Sequence, residues 1–75
     1  MSKIKVGQIY KSNLTLAIKV ITLVDDDCEE VSVVHSEGFV DRWRFDDIAN
    51  CNWELLAEYP TWQEAVNSKE FNNVE

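Results

Sequence analysis

A chain of 75 residues with seven Lys and Arg against fourteen Asp and Glu has room for one domain and one modest hydrophobic core. Apolar residues at 45% suffice for that core and exclude a disordered acidic tail, while a net charge of −7 opposes nucleic acid and anionic membranes at long range. No segment approaches the roughly 20 apolar residues that span a bilayer, and the start MSKIKVGQIY lacks the apolar stretch of a secretion signal, which points to the cytoplasm.

In chain order, Val6 to Tyr10 reads as a short first strand, with Gly7 marking a bend or a close backbone approach. After the turn-prone Lys11, Ser12 and Asn13, LTLAIKVITLV places Leu14, Leu16, Ile18 and Val20 on one parity and Ala17, Ile21 and Leu23 on the other. Its β-branched content favours a central strand over the competing helix, with Lys19 and Thr22 emerging where cover is incomplete. DDDCEE ends the run as a solvated hairpin connection, and it fails as a calcium loop because Glu30 and Ser36 stand where glycine and a bidentate glutamate are needed. EVSVVH follows with Val31, Val33 and His35 on one face, SEG turns at Gly38, and FVDRWRF alternates strictly. Phe39, Asp41, Trp43 and Phe45 then share the apolar side, while Arg42 and Arg44 face solvent.

DDIANCN predicts a helical turn capped by Asp46 or Asp47 with Ile48 inward. WELLAEY predicts a last strand with Trp53, Leu55 and Ala57 on one face and Leu56 opposite. Pro60 stops it, and Thr61 to Glu64 forms a T-x-x-E capping box opening a helix that ends near Lys69 or Glu70, with Trp62, Ala65, Val66 and Lys69 on one face and Phe71 folding back. The expectation is a mainly β domain: a small SH3-like, strongly bent antiparallel sheet or barrel of four to five strands over residues 6–59. A short C-terminal helix at 61–70 covers one open end, and a frayed tail occupies 71–75.

The chemistry-bearing residues are few. His35 is the only histidine and reads as an ordinary, partly exposed residue. Cys28 and Cys51 are expected as reduced thiols, and together with His35 they lack the paired short spacings of a zinc site, so neither metal nor cofactor is assigned. Gly7 and Gly38 make no phosphate loop, and enzyme activity is not expected.

VGQIYKS near the start, the hairpin turning at Ser36-Glu37-Gly38, the aromatic strand, and DDI leading into NWELL together resemble the small SH3-like barrel domains. Compact versions of these occur among accessory proteins of tailed bacteriophages. The chain departs from that family in lacking the basic surface of its nucleic-acid binders and the dense aromatic groove of its peptide binders.

Three binding readings remain. In the first, Asp25, Asp26, Asp27, Glu29 and Glu30, extended by Asp46, Asp47, Glu54 and Glu58, dock onto a basic protein. The phage resemblance makes that partner a nucleic-acid-binding host protein, modulated or inhibited by nucleic-acid mimicry. In the second, Arg42, Trp43 and Arg44, with the N-terminal lysines, form a patch for direct nucleic-acid binding; alternation opposes it, because outward arginines turn Trp43 inward. In the third, exposed aromatics among Trp53, Trp62 and Phe71 anchor an assembly or a homodimer.

Overall fold

The computed structural model describes residues 4–12, 17–50 and 53–72. Expectations resting on Lys3, Asn13, Leu14, Leu16 and Cys51 fall outside them, as does the part of the predicted 71–75 tail at 73–75; its first two residues, Phe71 and Asn72, are helical and not frayed. Five strands, β1 (Gln8–Lys11), β2 (Ile18–Asp25), β3 (Glu30–His35), β4 (Val40–Arg44) and β5 (Glu54–Glu58), form one antiparallel sheet in the order β4-β3-β2-β1-β5. Helix α1 (Phe45–Asn50) links β4 to β5, and α2 (Trp62–Val66) and α3 (Lys69–Asn72) close the chain. The mainly β architecture, with β2 central and a C-terminal helical segment, is as the patterning predicts. No helix among the described residues is long and apolar enough to cross a membrane.

The sheet bends because its two edges share a core. In a flat sheet β4 and β5 would stand roughly 19 Å apart, four strand spacings. Yet Trp43 of β4 meets Trp53, the residue before β5, edge to face at 5.1 Å between ring centroids. The face they share is therefore concave. It holds Tyr10, Ile21, Val31, Val33 and Ile48, with Ile4, Val24 and Phe45 packed against them. The opposite face buries Ile9 and Val20 under Ala65 and Phe71. The C-terminal helices thus cover the outer face of β1 and β2 and not an open end. Alternation in β1 and β2 sends Ile9 and Val20 outward, and these fully buried side chains require that cover.

Two bulges overturn parts of the simple alternation. The β2–β3 register shifts between Ile21 and Leu23, where the Thr22 hydroxyl donates to the Ser32 carbonyl oxygen at 3.2 Å. Ile21 and Val24 consequently both pack on the concave side, and Leu23 is exposed on the other, not paired in orientation with Ile21. The β1–β5 register shifts likewise at Leu56: Tyr10 opposes Leu55, and Ile9 opposes Ala57. Trp53 accordingly joins the concave cluster while Ala57 joins the outer one, instead of sharing a face.

The C-terminal helix is two helices. Thr61 caps α2 by accepting from the Glu64 N–H at 3.2 Å, as the capping box predicts. Ser68 then ends it: its N–H and hydroxyl both donate to the Ala65 carbonyl oxygen, at 3.1 and 2.6 Å, and its hydroxyl oxygen accepts from the Phe71 N–H at 3.3 Å to open α3. This break lets Phe71 fold back into the core while Trp62, expected on the inward face, stays exposed. The Tyr59 hydroxyl, donating to Glu70 Oε1 at 2.6 Å, ties α3 to the end of β5.

Candidate functional site

Of the acidic residues singled out above, Asp25 to Asp27, Glu29, Glu30, Asp46 and Asp47 assemble at one end of the sheet, whereas Glu54 and Glu58 stand apart from them on β5. Asp25 ends β2, Asp26 to Glu29 form the turn, and Glu30 begins β3. Asp25 builds the turn as well as charging it, since its Oδ1 accepts from the Asp27 N–H at 3.1 Å and the Cys28 N–H at 3.3 Å. Glu29 adopts φ 56°, a left-handed conformation with no glycine or asparagine to mark it in the sequence, and its carbonyl oxygen accepts from the Phe45 N–H at 2.9 Å. That bond fastens the hairpin to the start of α1. Asp46 and Asp47 lie in the first turn of α1 and are not its cap; their charge suits the positive end of the helix dipole. Cys28, Glu29, Arg44 and Asp46 line one shallow depression there, and Leu23, Val24 and Asp25 to Asp27 line another.

The arginine strand lies inside this same surface. Arg42 and Arg44 are exposed, as predicted, but Arg42 Nη2 donates to Glu30 Oε1 at 2.8 Å and Arg44 opposes Glu30 in register. Glu30 therefore binds one guanidinium group, and Glu29 and Asp46 share a depression with the other arginine. Trp43 points inward against Trp53, its Nε1 buried with no hydrogen-bond partner in the structure. The acidic patch and the cationic patch, separate in sequence, are one surface in space, and acid dominates it.

At the opposite end, two residues depart from expectation. Lys19, expected to emerge, is 3% exposed on the concave side, its Nζ 4.5 Å from the centroid of Trp53 and 5.9 Å from that of Trp43. The aromatic faces accept the ammonium that a plain aliphatic core would reject. His35, expected to be partly exposed, is 7% exposed, stacked on Phe39 at 4.0 Å and 3.7 Å from Asp41 Oδ2, with its Nε2 lacking a hydrogen-bond partner. Its shared parity with Val31 and Val33 was the available signal. Burial and the adjacent Lys19 charge hold the His35 imidazole below its ordinary value of 6.5, against the opposing pull of Asp41 and Glu37.

Protonation of His35 is thus easier in the unfolded chain than in the folded one, so its contribution to stability is complete above pH 6.5 and declines as pH falls below that value. Denaturant titrations at about pH 7 and about pH 5 should show the decline, and His35→Phe should reduce it; an unchanged slope in the variant would refute the assignment.

The Cys28 thiol is exposed, yet the Asp25 charge and a hydrogen bond with that carboxylate push its pKa above the ordinary value. Because the thiolate is the reactive form, alkylation at Cys28, followed by mass spectrometry of its peptide, should be slow and should accelerate in Asp25→Asn. Equal rates would remove Asp25 as the cause. Among the described residues no group of three or more His, Cys, Asp or Glu is placed to hold a metal ion.

No family model, curated protein or solved structure matches the chain.

Proposed function

We propose that the chain is a non-enzymatic protein-binding module whose acidic end docks onto a basic surface of another protein, in the manner of a nucleic-acid mimic. The observation that carries this reading is the bond from the Phe45 N–H to the Glu29 carbonyl oxygen. It joins hairpin to helix, so that Asp25, Asp26, Asp27, Glu29, Glu30, Asp46 and Asp47 are presented by backbone elements held to one another. Carboxylates in a fixed array attract a basic groove at long range and meet it without first being ordered.

The strand order, with a helical turn before the last strand, fits a small SH3-like sheet, and the phage resemblance rests on the sequence pattern. On that resemblance the partner is a nucleic-acid-binding host protein in the cytoplasm, which this chain modulates or inhibits. The ion pair of Arg42 with Glu30 and the inward position of Trp43 weigh against the chain's binding nucleic acid directly.

Immobilised chain exposed to bacterial lysate should retain a basic protein that elutes as salt rises, and the free chain should pass through heparin at low salt. Firm heparin retention, or capture insensitive to salt, would contradict the reading.

A further inference from the structure

We propose that the free edge of β5 is a second docking surface, one that takes an extended segment of a partner protein carrying apolar side chains flanked by lysine or arginine. This goes beyond the acidic-end reading and does not depend on it.

Among the described residues the sheet has two edges, β4 and β5. An edge strand presents unpaired backbone groups to any chain able to add a strand, and proteins usually guard it. The β4 edge exposes Val40 at its start, 69%, but is guarded beyond it: the Arg42 N–H donates to Asp41 Oδ1 at 2.8 Å, and the exposed Arg42 and Arg44 stand on alternate positions along it. The β5 edge differs. Leu55 and Leu56 lie side by side in it, 47% and 38% exposed, and the register shift at Leu56 leaves that residue without an opposite number on β1. Glu54 and Glu58, both exposed, bound the pair at either end of the strand; Glu54 stands opposite Lys11, and one carboxylate oxygen of Glu58, Oε2, accepts from Gln8 Nε2 at 3.2 Å.

Those two carboxylates select the occupant. A second copy of the chain would bring another Glu54 and another Glu58 to the same seam, on top of repulsion between two bodies of net charge −7. An extended segment with apolar residues at its centre and cationic residues at its ends covers the leucines and pairs with the glutamates.

The test is an amide-resolved NMR titration of the whole chain with a short peptide alternating lysine and valine, and with its counterpart alternating glutamate and valine. The lysine peptide should perturb residues 54–58 and slow hydrogen exchange there, and the glutamate peptide should not. Leu56→Ser should weaken the lysine peptide, and the double variant Glu54→Lys, Glu58→Lys should weaken it roughly tenfold, both with dispersed spectra that report an intact fold. Perturbation confined to residues 25–30, 46 and 47, no perturbation, or equal binding by the double variant would overturn the β5 site. Because those outcomes leave the acidic-end variants untouched, failure here is distinguishable from failure of the first reading.

Discussion

Gly7→Ala is expected to lower stability by about 3 kcal/mol, roughly 15–20 °C in Tm for a chain of this size. Gly7 lies at φ 96°, where a side chain is strained, and a Cβ placed there would overlap the Tyr59 carbonyl oxygen. The backbone cannot easily yield. The Gly7 N–H donates to the Ile21 carbonyl oxygen at 2.9 Å, and the Gly7 carbonyl oxygen accepts from the Tyr59 N–H at 3.0 Å. One residue thus fastens the start of β1 to the central strand and to the end of β5, and moving it away from Tyr59 breaks the seam on which the C-terminal helices rest. Gly38 supplies the control. It has φ 101° but nothing within 4 Å of a Cβ, so Gly38→Ala meets strain alone and should cost about 1 kcal/mol. Thermal denaturation of both variants checks the pair; equal losses would show that the Tyr59 contact is unimportant.

The second large effect concerns binding. Reversing three exposed acids together, Asp26→Lys, Asp27→Lys and Asp46→Lys, should weaken the captured complex about 100-fold. Most of the loss at low salt should appear in the association rate. These side chains lie outside the core, so the unfolding midpoint should move little. Glu37→Lys, in the β3–β4 turn at the far end of the sheet, should change affinity by less than about threefold, because it lies beyond a Debye length from the acidic end. Surface plasmon resonance on the captured partner separates these outcomes. A comparable loss from Glu37→Lys would mean that net charge acts and the acidic end does not.

What the sequence discloses and what it hides follow from how each feature is encoded. Strands β3 and β4 were legible because their side chains alternate without interruption, and Val31, Val33 and Trp43 take the inward places that this implies. The capping box was legible because Thr61 and Glu64 are the chemistry of the cap itself. The bulges at Thr22 and Leu56 were not, because an ordinary residue becomes a bulge only through a partner strand that no local pattern contains. Both inverted the faces assigned downstream of them. Lys19 was misplaced for a related reason: two tryptophans distant in sequence make its burial tolerable, and only the bent sheet brings them to it. The break at Ser68 had a signal in the turn-prone pair Asn67-Ser68, which the three- and four-residue spacing of the helix masked. At the acidic end, the residues were legible from charge, but the mixing of Glu30 with Arg42 and the anchoring of Glu29 to α1 depend on the sheet's register.

A competition titration tests the acidic-end account most directly: the complex captured from lysate is challenged with a short DNA duplex at fixed salt, and the released chain is measured. If the carboxylates of the β2–β3 hairpin and α1 occupy a groove made for phosphates, the duplex displaces the chain in proportion to its own affinity for the partner. A complex that holds undiminished at saturating duplex, or a lysate that yields no basic partner to challenge, would contradict it.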